Sequence, residues 1–296
     1  MTARVILNPY SGRWKARRLW PEAESALKSA GIEFEFVETE QPGDGIRLAE
    51  ESITQGYSPI ITAGGDGAIS EVVNGMYRAS PTGILGPLGV LPMGTANDLA
   101  VNLGLPINLG QAAITIAAGK TKRIDLGKAN EWLFDNNSAI GLEPVVTMHN
   151  IRMVRLKGVF RYLVAALKAI WEGPKWTVKL EWDDGSYEGL VSLVSVGNCP
   201  ITGGLFRMAP DASPTDGKIT FVHGYAPSRL KMLSLLPRTI NGSYIKDPGV
   251  HQYHTRNLRI EITPGSPIQV DGEIRSETLN HVSYETLPGK LDIFVP

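Results

Sequence analysis

Three glycines surround one carboxylate in Gly64-Gly65-Asp66-Gly67, which follows an apolar run at residues 59–62 and precedes a helical pattern of apolar residues. Glycine lets the backbone approach a ligand closely, and a helix N-terminus offers unpaired N–H groups with a partial positive charge. This order of elements is typical of a loop that binds phosphate. Because a carboxylate repels phosphate, we expect Asp66 to hold Mg²⁺ or to order a basic neighbour. The alternative is a tight turn without a ligand.

Two further polar turns follow predicted strands. Residues 92–98 read Pro-Met-Gly-Thr-Ala-Asn-Asp and precede a helix, which Thr95 or Asn97 can cap. The turn Asn8-Pro9-Tyr10-Ser11-Gly12-Arg13 follows the first strand. The carboxyl ends of parallel strands share one edge of a sheet, where ligands bind in such folds. The three turns therefore predict a phosphate site, although the sequence has neither a P-loop nor the last glycine of the dinucleotide fingerprint.

A pair of carboxylates near the C-terminus is a candidate for acid–base chemistry. Asp271 and Glu273 flank Gly272, which forces a sharp path on the chain. On a straight strand, residues two apart share one face. Two adjacent carboxylates raise the pKa of one of them, which suits a general base. An exposed Asp-Gly turn is the alternative, and the residues alone leave both interpretations open.

The elements that position these residues follow two different patterns. Strands and helices alternate up to about residue 126, which predicts an α/β domain with a parallel sheet at residues 1–126. Later, residues 176–182 alternate apolar and polar side chains, a turn follows, and residues 187–196 run back as an antiparallel hairpin. We therefore expect a β-rich domain at residues 127–296, whose last strand can return to the first domain.

One predicted helix interrupts the β-rich half. Its apolar residues recur at helical spacing from Phe160 to Trp171, and residues 152–179 contain seven Lys or Arg and one acid. It is either a basic amphipathic surface that meets anionic lipid head groups or a helix whose apolar face packs on a sheet. The second interpretation is favoured because most amphipathic helices in globular chains are core elements. The segment with His251 and His254 is predicted to be a loop, and a zinc site is not expected there.

The motifs together resemble the diacylglycerol kinase catalytic-domain family, and more narrowly the soluble bacterial lipid kinases. The resemblance rests on Asn-Pro-x-Ser-Gly, Gly-Gly-Asp-Gly and Pro-Met-Gly-Thr-Ala-Asn-Asp in this order, with residues 211–217 and 270–273 matching as well. It implies an ATP- and Mg²⁺-dependent kinase that phosphorylates a lipid hydroxyl such as that of diacylglycerol. The first domain would bind the nucleotide, and a sandwich-like second domain the lipid. The alternatives are an NAD kinase-like enzyme and a catalytically weak sensor of nucleotide and lipid.

The resemblance also implies roles for single residues. Ala68 stands where the family commonly has Thr, so we expect weaker nucleotide binding from the missing hydroxyl. The implied catalytic residues are Arg13, which neutralises phosphoryl charge, Asp66 and Asp98, which organise Mg²⁺ and water, and Asp271 or Glu273 as the base. The implied nucleotide-binding residues are Asn8, Ser11, Thr39, Gly64, Gly65, Asp66, Gly67 and Thr95. A separate structural Mg²⁺ site is implied at Ser213, Asp216 and the backbone carbonyl of Lys218, where the alternative is a type I turn.

Composition limits the possible partners and compartments. The 296 residues carry a formal net charge of −1 and 43% hydrophobic residues, which is typical of a globular protein and does not indicate a nucleic-acid partner. Cys199 is the only cysteine, so an internal disulfide is impossible, as suits a reducing cytoplasm. The sequence shows neither a signal peptide nor a transmembrane segment. We therefore expect a cytoplasmic enzyme that meets its lipid peripherally at the membrane surface; a homodimer is left open.

Overall fold

The computed structural model describes residues 2–153, 158–173 and 175–296, with no side-chain description at residues 158–160. The chain divides into two compact units. Unit 1 comprises Met1–Asp125 and Gly289–Pro296, and unit 2 comprises Leu126–Pro288. Two long strands, at the two boundaries, contribute to both units.

Unit 1 contains the parallel sheet that the sequence predicts. Its strands are β1 (Ala3–Leu7), β2 (Phe34–Glu38), β3 (Ile60–Gly64), β4 (Leu85–Pro92), the start of β5 (Thr121–Ala129) and the end of β16 (Glu273–Phe294). β2 pairs with β1, β1 with β3, β3 with β4 and β4 with β16, all in parallel. Every residue of β1 and β3 is buried. Such strands read as continuous apolar runs because helices cover both faces of the sheet.

Five helices connect the strands in the described part of unit 1. The first helix includes Gly12, Arg13 and Trp14, whose backbone angles are not helical, so its regular part begins after Trp14, and Pro21 lies inside it. Ala16, Trp20 and Leu27 on this helix are buried in the core of the unit. The helices are α1 (Ser11–Ser29), α2 (Asp44–Thr54), α3 (Asp66–Ala79), α4 (Asp98–Leu103) and α5 (Leu109–Ala118).

Unit 2 is the β-rich part of the chain, and its described strands pair in antiparallel fashion. Its elements are the end of β5, β6 (Trp132–Phe134), β7 (Asn137–Gly141), α6 (Leu142–Arg152), α7 (Gly158–Glu172), β8 (Trp176–Trp182), β9 (Gly185–Val191), β10 (Leu193–Gly197), β11 (Ile201–Thr202), β12 (Phe206–Arg207), β13 (Ile219–Gly224), α8 (Arg229–Leu235), β14 (Val250–Thr255), β15 (Asn257–Val270) and the start of β16. The main order is β14–β13–β10–β7–β15–β16, with β8 also on β15 and β9 on β8. The expected β-rich, sandwich-like second half is confirmed.

Three details of unit 2 differ from the expectation. The predicted run at residues 187–196 is two strands, β9 and β10, which are separated at Ser192. The segment with His251 and His254 is not a loop but strand β14, and the Thr220 hydroxyl lies 2.8 Å from His254 Nδ1. α6 was not predicted, because its first residues follow β7 directly and its apolar residues do not form one clear face.

Among the described residues, no helix is long and apolar enough to span a membrane.

Candidate active site

The three polar turns meet at the carboxyl ends of β1, β3 and β4. The Gly65 N–H donates a hydrogen bond to Ser11 Oγ at 3.2 Å, and the Met93 N–H donates to the Gly64 carbonyl at 2.7 Å. A Cβ placed on Gly94 would lie only 2.5 Å from the Cα of Gly65. The two glycine loops therefore touch through their backbones, and neither position has room for a side chain. The structure brings together the turns whose motifs the sequence singled out.

The first turn has an unusual backbone. Gly12, Arg13 and Trp14 have φ angles of 61°, 60° and 69°, so three consecutive residues adopt the left-handed conformation. For a residue with a side chain, this conformation costs about 1–2 kcal/mol. The Asn8 side chain supports the turn by accepting the Tyr10 N–H at 3.0 Å. The turn leaves Arg13 exposed beside the glycine loops.

Thr39 follows β2 at the same edge of the sheet. Its N–H donates to the Leu7 carbonyl at 2.9 Å, and the residue is buried. Thr95 is exposed in the loop after β4, whereas Asp98 is buried in the first turn of α4. We expected Thr95 or Asn97 to cap α4. Asn97 lies at the N-cap position, but its side chain makes no capping hydrogen bond. Asn97 Oδ1 instead accepts the Gly94 N–H at 2.8 Å and so closes its own loop.

Asp66 supplies the missing cap from the neighbouring loop. It is the first residue of α3, and its Oδ1 accepts the Leu99 N–H of α4 at 3.2 Å. The residue is partly buried. Burial raises the pKa of Asp66, and the backbone N–H groups at the start of α4 oppose this shift. The contact ties the first glycine loop to the second, a role that the sequence analysis did not anticipate.

Asp271 and Gly272 form a two-residue turn between β15 and β16. Their φ angles are 47° and 79°, and Val270 pairs with Glu273 across the hairpin. Two positive φ angles in an Asp-Gly pair are the signature of a type I′ turn. The expectation that both carboxylates share one strand face is therefore wrong. The Asp271 side chain is buried, whereas Glu273 is exposed.

The Asp271 carboxylate binds the backbone of the segment before β7. Its Oδ1 accepts the N–H groups of Asn136 and Asn137 at 3.0 and 3.1 Å, and its Oδ2 accepts the Asp135 N–H at 3.2 Å. In return, the Asp271 N–H donates to the Asn137 carbonyl at 2.8 Å. Buried N–H groups need such partners, and a carboxylate can satisfy several at once. Asp271 thus fixes the turn in place.

Glu143 is a buried carboxylate that the sequence analysis missed. It lies in the first turn of α6, and its Oε1 accepts the side-chain amides of Asn137 at 2.7 Å and Gln269 at 3.1 Å. Although the residue as a whole is only half-buried, its Oε2 is shielded from solvent. Burial raises the pKa of Glu143 to about 7, while the side chains of Asn137, Ser195 and Gln269 act against this shift. The available signal was a carboxylate soon after a strand-ending glycine, Gly141, as in the first glycine loop.

The implied structural metal site forms a turn in unit 2. Asp216 Oδ1 accepts the Lys218 N–H at 3.0 Å, and the hydroxyls of Ser213 and Thr215 lie 3.3 Å apart. Oxygen donors of this kind suit Mg²⁺, which keeps several of its water ligands. No group of three or more His, Cys, Asp or Glu side chains able to hold a metal occurs among the described residues. The Ser213 hydroxyl, the Asp216 carboxylate and the Lys218 carbonyl are all oxygen donors, and the Mg²⁺ site remains a prediction.

The amphipathic helix α7 exposes part of its apolar side. Its small residues are buried, whereas Leu163, Leu167 and Trp171 are exposed, Trp171 by 73%. Leu230 on α8 is 80% exposed, and the Arg229 guanidinium carbon lies 5.2 Å from the centre of a Trp171 ring. The favoured expectation that the apolar face packs inward is therefore wrong for these three residues of α7. We call Leu163, Leu167, Trp171 and Leu230 the α7–α8 apolar surface.

Comparisons with known proteins agree with this architecture. The diacylglycerol kinase catalytic domain matches residues 2–129, and the YegS C-terminal NAD kinase beta sandwich-like domain matches residues 137–295. A diacylglycerol kinase of Staphylococcus epidermidis is 30% identical over 99% of this chain and 92% of its own length. One of Staphylococcus saprophyticus is 28% identical over 99% of this chain and 95% of its own length.

Solved structures from Bacillus anthracis share the fold. One superposes with a TM-score of 0.81 at 24% identity and covers 100% of this chain and 97% of its own. The crystal structure of a diacylglycerol kinase superposes with a TM-score of 0.74 at 22% identity, with the same coverage. Together with the relatives, the fold and its loops define a phosphotransferase of the lipid kinase type, with an alcohol group as acceptor. The chain belongs to the diacylglycerol kinase catalytic-domain family.

Proposed function

We propose that the protein transfers the γ-phosphoryl group of ATP, with Mg²⁺, to the hydroxyl of a lipid such as diacylglycerol. The observation that carries the proposal is the contact between the glycine loops at Gly65 and Gly94, with Ser11 bonded to Gly65. Their backbones converge at one edge of a parallel sheet, which is where such folds bind ligands. The names of the curated relatives support diacylglycerol as the acceptor.

In this proposal, unit 1 binds the donor nucleotide. The glycine loop ends β3 and opens α3, so its N–H groups and the helix N-terminus favour the negative charge of the phosphates. Arg13 is exposed on the adjacent left-handed turn and neutralises charge on the transferred group. The cost of that turn is consistent with a functional role, because strained backbone is concentrated at binding sites. The nucleotide-binding residues are Asn8, Ser11, Thr39, Gly64, Gly65, Asp66, Gly67 and Thr95.

Two carboxylates of unit 1 are assigned to Mg²⁺ and its water ligands. Asp66 uses Oδ1 to accept the Leu99 N–H, and a carboxylate has further lone pairs for a metal-bound water. Asp98 is the first residue of α4, the helix whose Leu99 N–H bonds to Asp66, and this supports assigning both carboxylates to the same ion. When bound, Mg²⁺ neutralises the charge of the phosphates. Ser213, Asp216 and the Lys218 carbonyl are assigned to a second, structural Mg²⁺.

Unit 2 supplies the general base, which we assign to Glu273. Asp271 is committed to three backbone N–H groups, whereas Glu273 is exposed at the start of β16. The acceptor hydroxyl gives its proton to the Glu273 carboxylate as the hydroxyl oxygen bonds to the γ-phosphorus. The bond from that phosphorus to the ADP oxygen breaks, and ADP leaves with the electron pair.

The proposal places the enzyme peripherally on the cytoplasmic surface of the membrane, because its acceptor is a membrane lipid and its donor is ATP. The α7–α8 apolar surface supports this placement, since a patch of large exposed apolar side chains is typical of a site that contacts a membrane or another protein. Lys168 and Arg229 are exposed on the same two helices and favour anionic head groups.

Incubation with γ-labelled ATP and Mg²⁺ tests the proposal. The full-length protein is offered diacylglycerol, a sphingoid base and NAD in parallel, and the labelled products are separated. We expect label in the diacylglycerol product. Label in NAD would instead support an NAD kinase-like enzyme. ATP binding without transfer to any acceptor would indicate a sensor and would contradict the proposed activity.

A further inference from the structure

The Glu143 carboxylate determines how two side-chain amides are oriented. It accepts hydrogen bonds at Oε1 from Asn137 Nδ2 and Gln269 Nε2, at 2.7 and 3.1 Å. Since an ionised carboxylate is only an acceptor, both amides must turn their NH₂ groups toward it. Their oxygens then point the other way. Asn137 Oδ1 accepts the Thr202 hydroxyl at 3.0 Å, and Gln269 Oε1 accepts the Gly272 N–H at 2.7 Å.

The two oriented residues both hold the turn that precedes Glu273. Gln269 bonds to Gly272, which is the residue directly before Glu273. Asn137 bonds to Asp271 twice through its backbone, as donor at 3.1 Å and as acceptor at 2.8 Å. A Gln269 side chain without its partner is free to rotate, and the Gly272 N–H would then lose its acceptor. Glu143 is thus connected to the turn before Glu273 by two routes. One runs through the Gln269 side chain to Gly272, and the other runs through Asn137 to Asp271.

We propose that Glu143 is a positioning residue for Glu273, acting through Gln269 and Asn137 on the Asp271–Gly272 turn. The inference rests on the proposed function, in which Glu273 is the base. The role needs the acceptor oxygen Oε1 and not the charge. The shielded position of the carboxylate fits this role, because burial raises the pKa of Glu143 to about 7 and makes a permanent charge costly. Protonation at Oε2 leaves Oε1 as an acceptor.

The test compares two substitutions with the full-length protein. Glu143→Gln keeps an acceptor oxygen and should keep kcat within about threefold of the wild type, because an uncharged amide oxygen can accept the same hydrogen bonds. Glu143→Leu removes the acceptor and should lower kcat by roughly 10- to 100-fold with an unchanged KM for ATP, because small displacements of a catalytic group cost this much. Equal losses in both variants, or none in Glu143→Leu, would overturn the inference.

A second comparison separates positioning from a general structural effect. In a Glu273→Gln background the base is absent, so adding Glu143→Leu should not lower the residual kcat further. A loss by the same factor as in the wild type would mean that Glu143 acts elsewhere. Wild-type kcat in Glu273→Gln alone would reject the base assignment, and the inference with it. If Glu143→Leu does not fold, Gln269→Met breaks the same link with a side chain of similar length, and wild-type kcat in that variant overturns the inference.

Discussion

Gly65 and Gly94 contact each other through their backbones, and a Cβ on either residue would lie within 2.9 Å of the other's Cα. Real Cβ contacts are not this short, and backbone atoms cannot move aside as a flexible side chain can. The close approach of the two glycine loops therefore requires that neither residue carries a side chain.

We expect Gly94→Ala to separate the two loops and to raise the KM for ATP at least tenfold. Gly110→Ala is the matched control, because its Cβ would meet only a side-chain oxygen at 3.2 Å. Steady-state kinetics with varied ATP measures both variants. An unchanged KM for ATP in Gly94→Ala would show that the loop contact does not set nucleotide binding.

Substitutions of Asp66 separate its charge from its capping role. Asp66→Asn keeps an oxygen for the Leu99 N–H, so it should leave thermal stability near that of the wild type while turnover falls roughly 100-fold. Asp66→Ala also leaves that N–H without its partner and should lose a further 1–3 kcal/mol of stability, as an order of magnitude. Thermal unfolding and kcat are measured together. Near-normal turnover of Asp66→Asn at saturating ATP and Mg²⁺ would refute the role in organising metal.

The α7–α8 apolar surface should control binding to bilayers. Trp171→Ala combined with Leu230→Ala removes its two most exposed residues and should weaken sedimentation with anionic vesicles by about tenfold or more, because each large side chain contributes roughly 1.5–3 kcal/mol on burial. Activity on a short-chain diacylglycerol in solution should not change. Ile84→Ala with Ile114→Ala, two exposed residues of unit 1, is the control. Equal vesicle binding by both double variants would exclude this surface.

Glu143 should leave a signature in the pH dependence of stability. Its pKa is about 7 in the folded protein, against an ordinary value of 4.5. Between these values the folded state binds more protons than the unfolded state, so the free energy of unfolding falls as pH rises from about 4.5 to 7. Glu143→Gln does not titrate, and its stability relative to the wild type should therefore increase across this window and level off above it.

Denaturant unfolding at several pH values measures the difference. Ile84→Ala, an exposed change that removes no titratable group, is the control, and its stability difference from the wild type should not depend on pH. The change can reach about 1.4 kcal/mol for each unit by which the pKa is raised. A difference between Glu143→Gln and the wild type that is independent of pH would contradict the raised pKa.

The sequence predicts strands correctly where the spacing of the apolar residues matches the positions that the fold buries. The alternation in β8 appears as strictly alternating burial, and the continuous apolar run before Gly64 is a fully buried strand. The same local patterns fail where a polar strand is paired, as in β14, a segment that the sequence predicts to be a loop. There the hydrogen bonds of the β13 pairing decide the structure, and they are not visible in the residues of β14 alone.

The candidate site divides in the same way. Glycine spacing indicates where the two glycine loops meet, because close backbone approach requires glycine whatever the rest of the fold. The contact from Asp66 to Leu99 joins residues 33 positions apart, and the amides held by Glu143 belong to two different strands. Such partners are determined by packing between elements, which motif spacing does not encode. For Asp271, the sequence alone allowed either a residue in a turn or a general base. The three backbone N–H groups that bond to its carboxylate favour the turn, and they come from a segment more than 130 residues earlier in the chain.

The most direct test of the account is kcat for the transfer of label from γ-labelled ATP to diacylglycerol by the wild type, Glu273→Gln and Asp271→Asn. We predict transfer by the wild type and a loss of roughly 100-fold or more in Glu273→Gln, with unchanged ATP affinity and stability, because a general base contributes this much. Asp271→Asn should instead lower the melting temperature, because its NH₂ group cannot accept a backbone N–H. No transfer by the wild type, or a wild-type kcat in Glu273→Gln, would contradict the account.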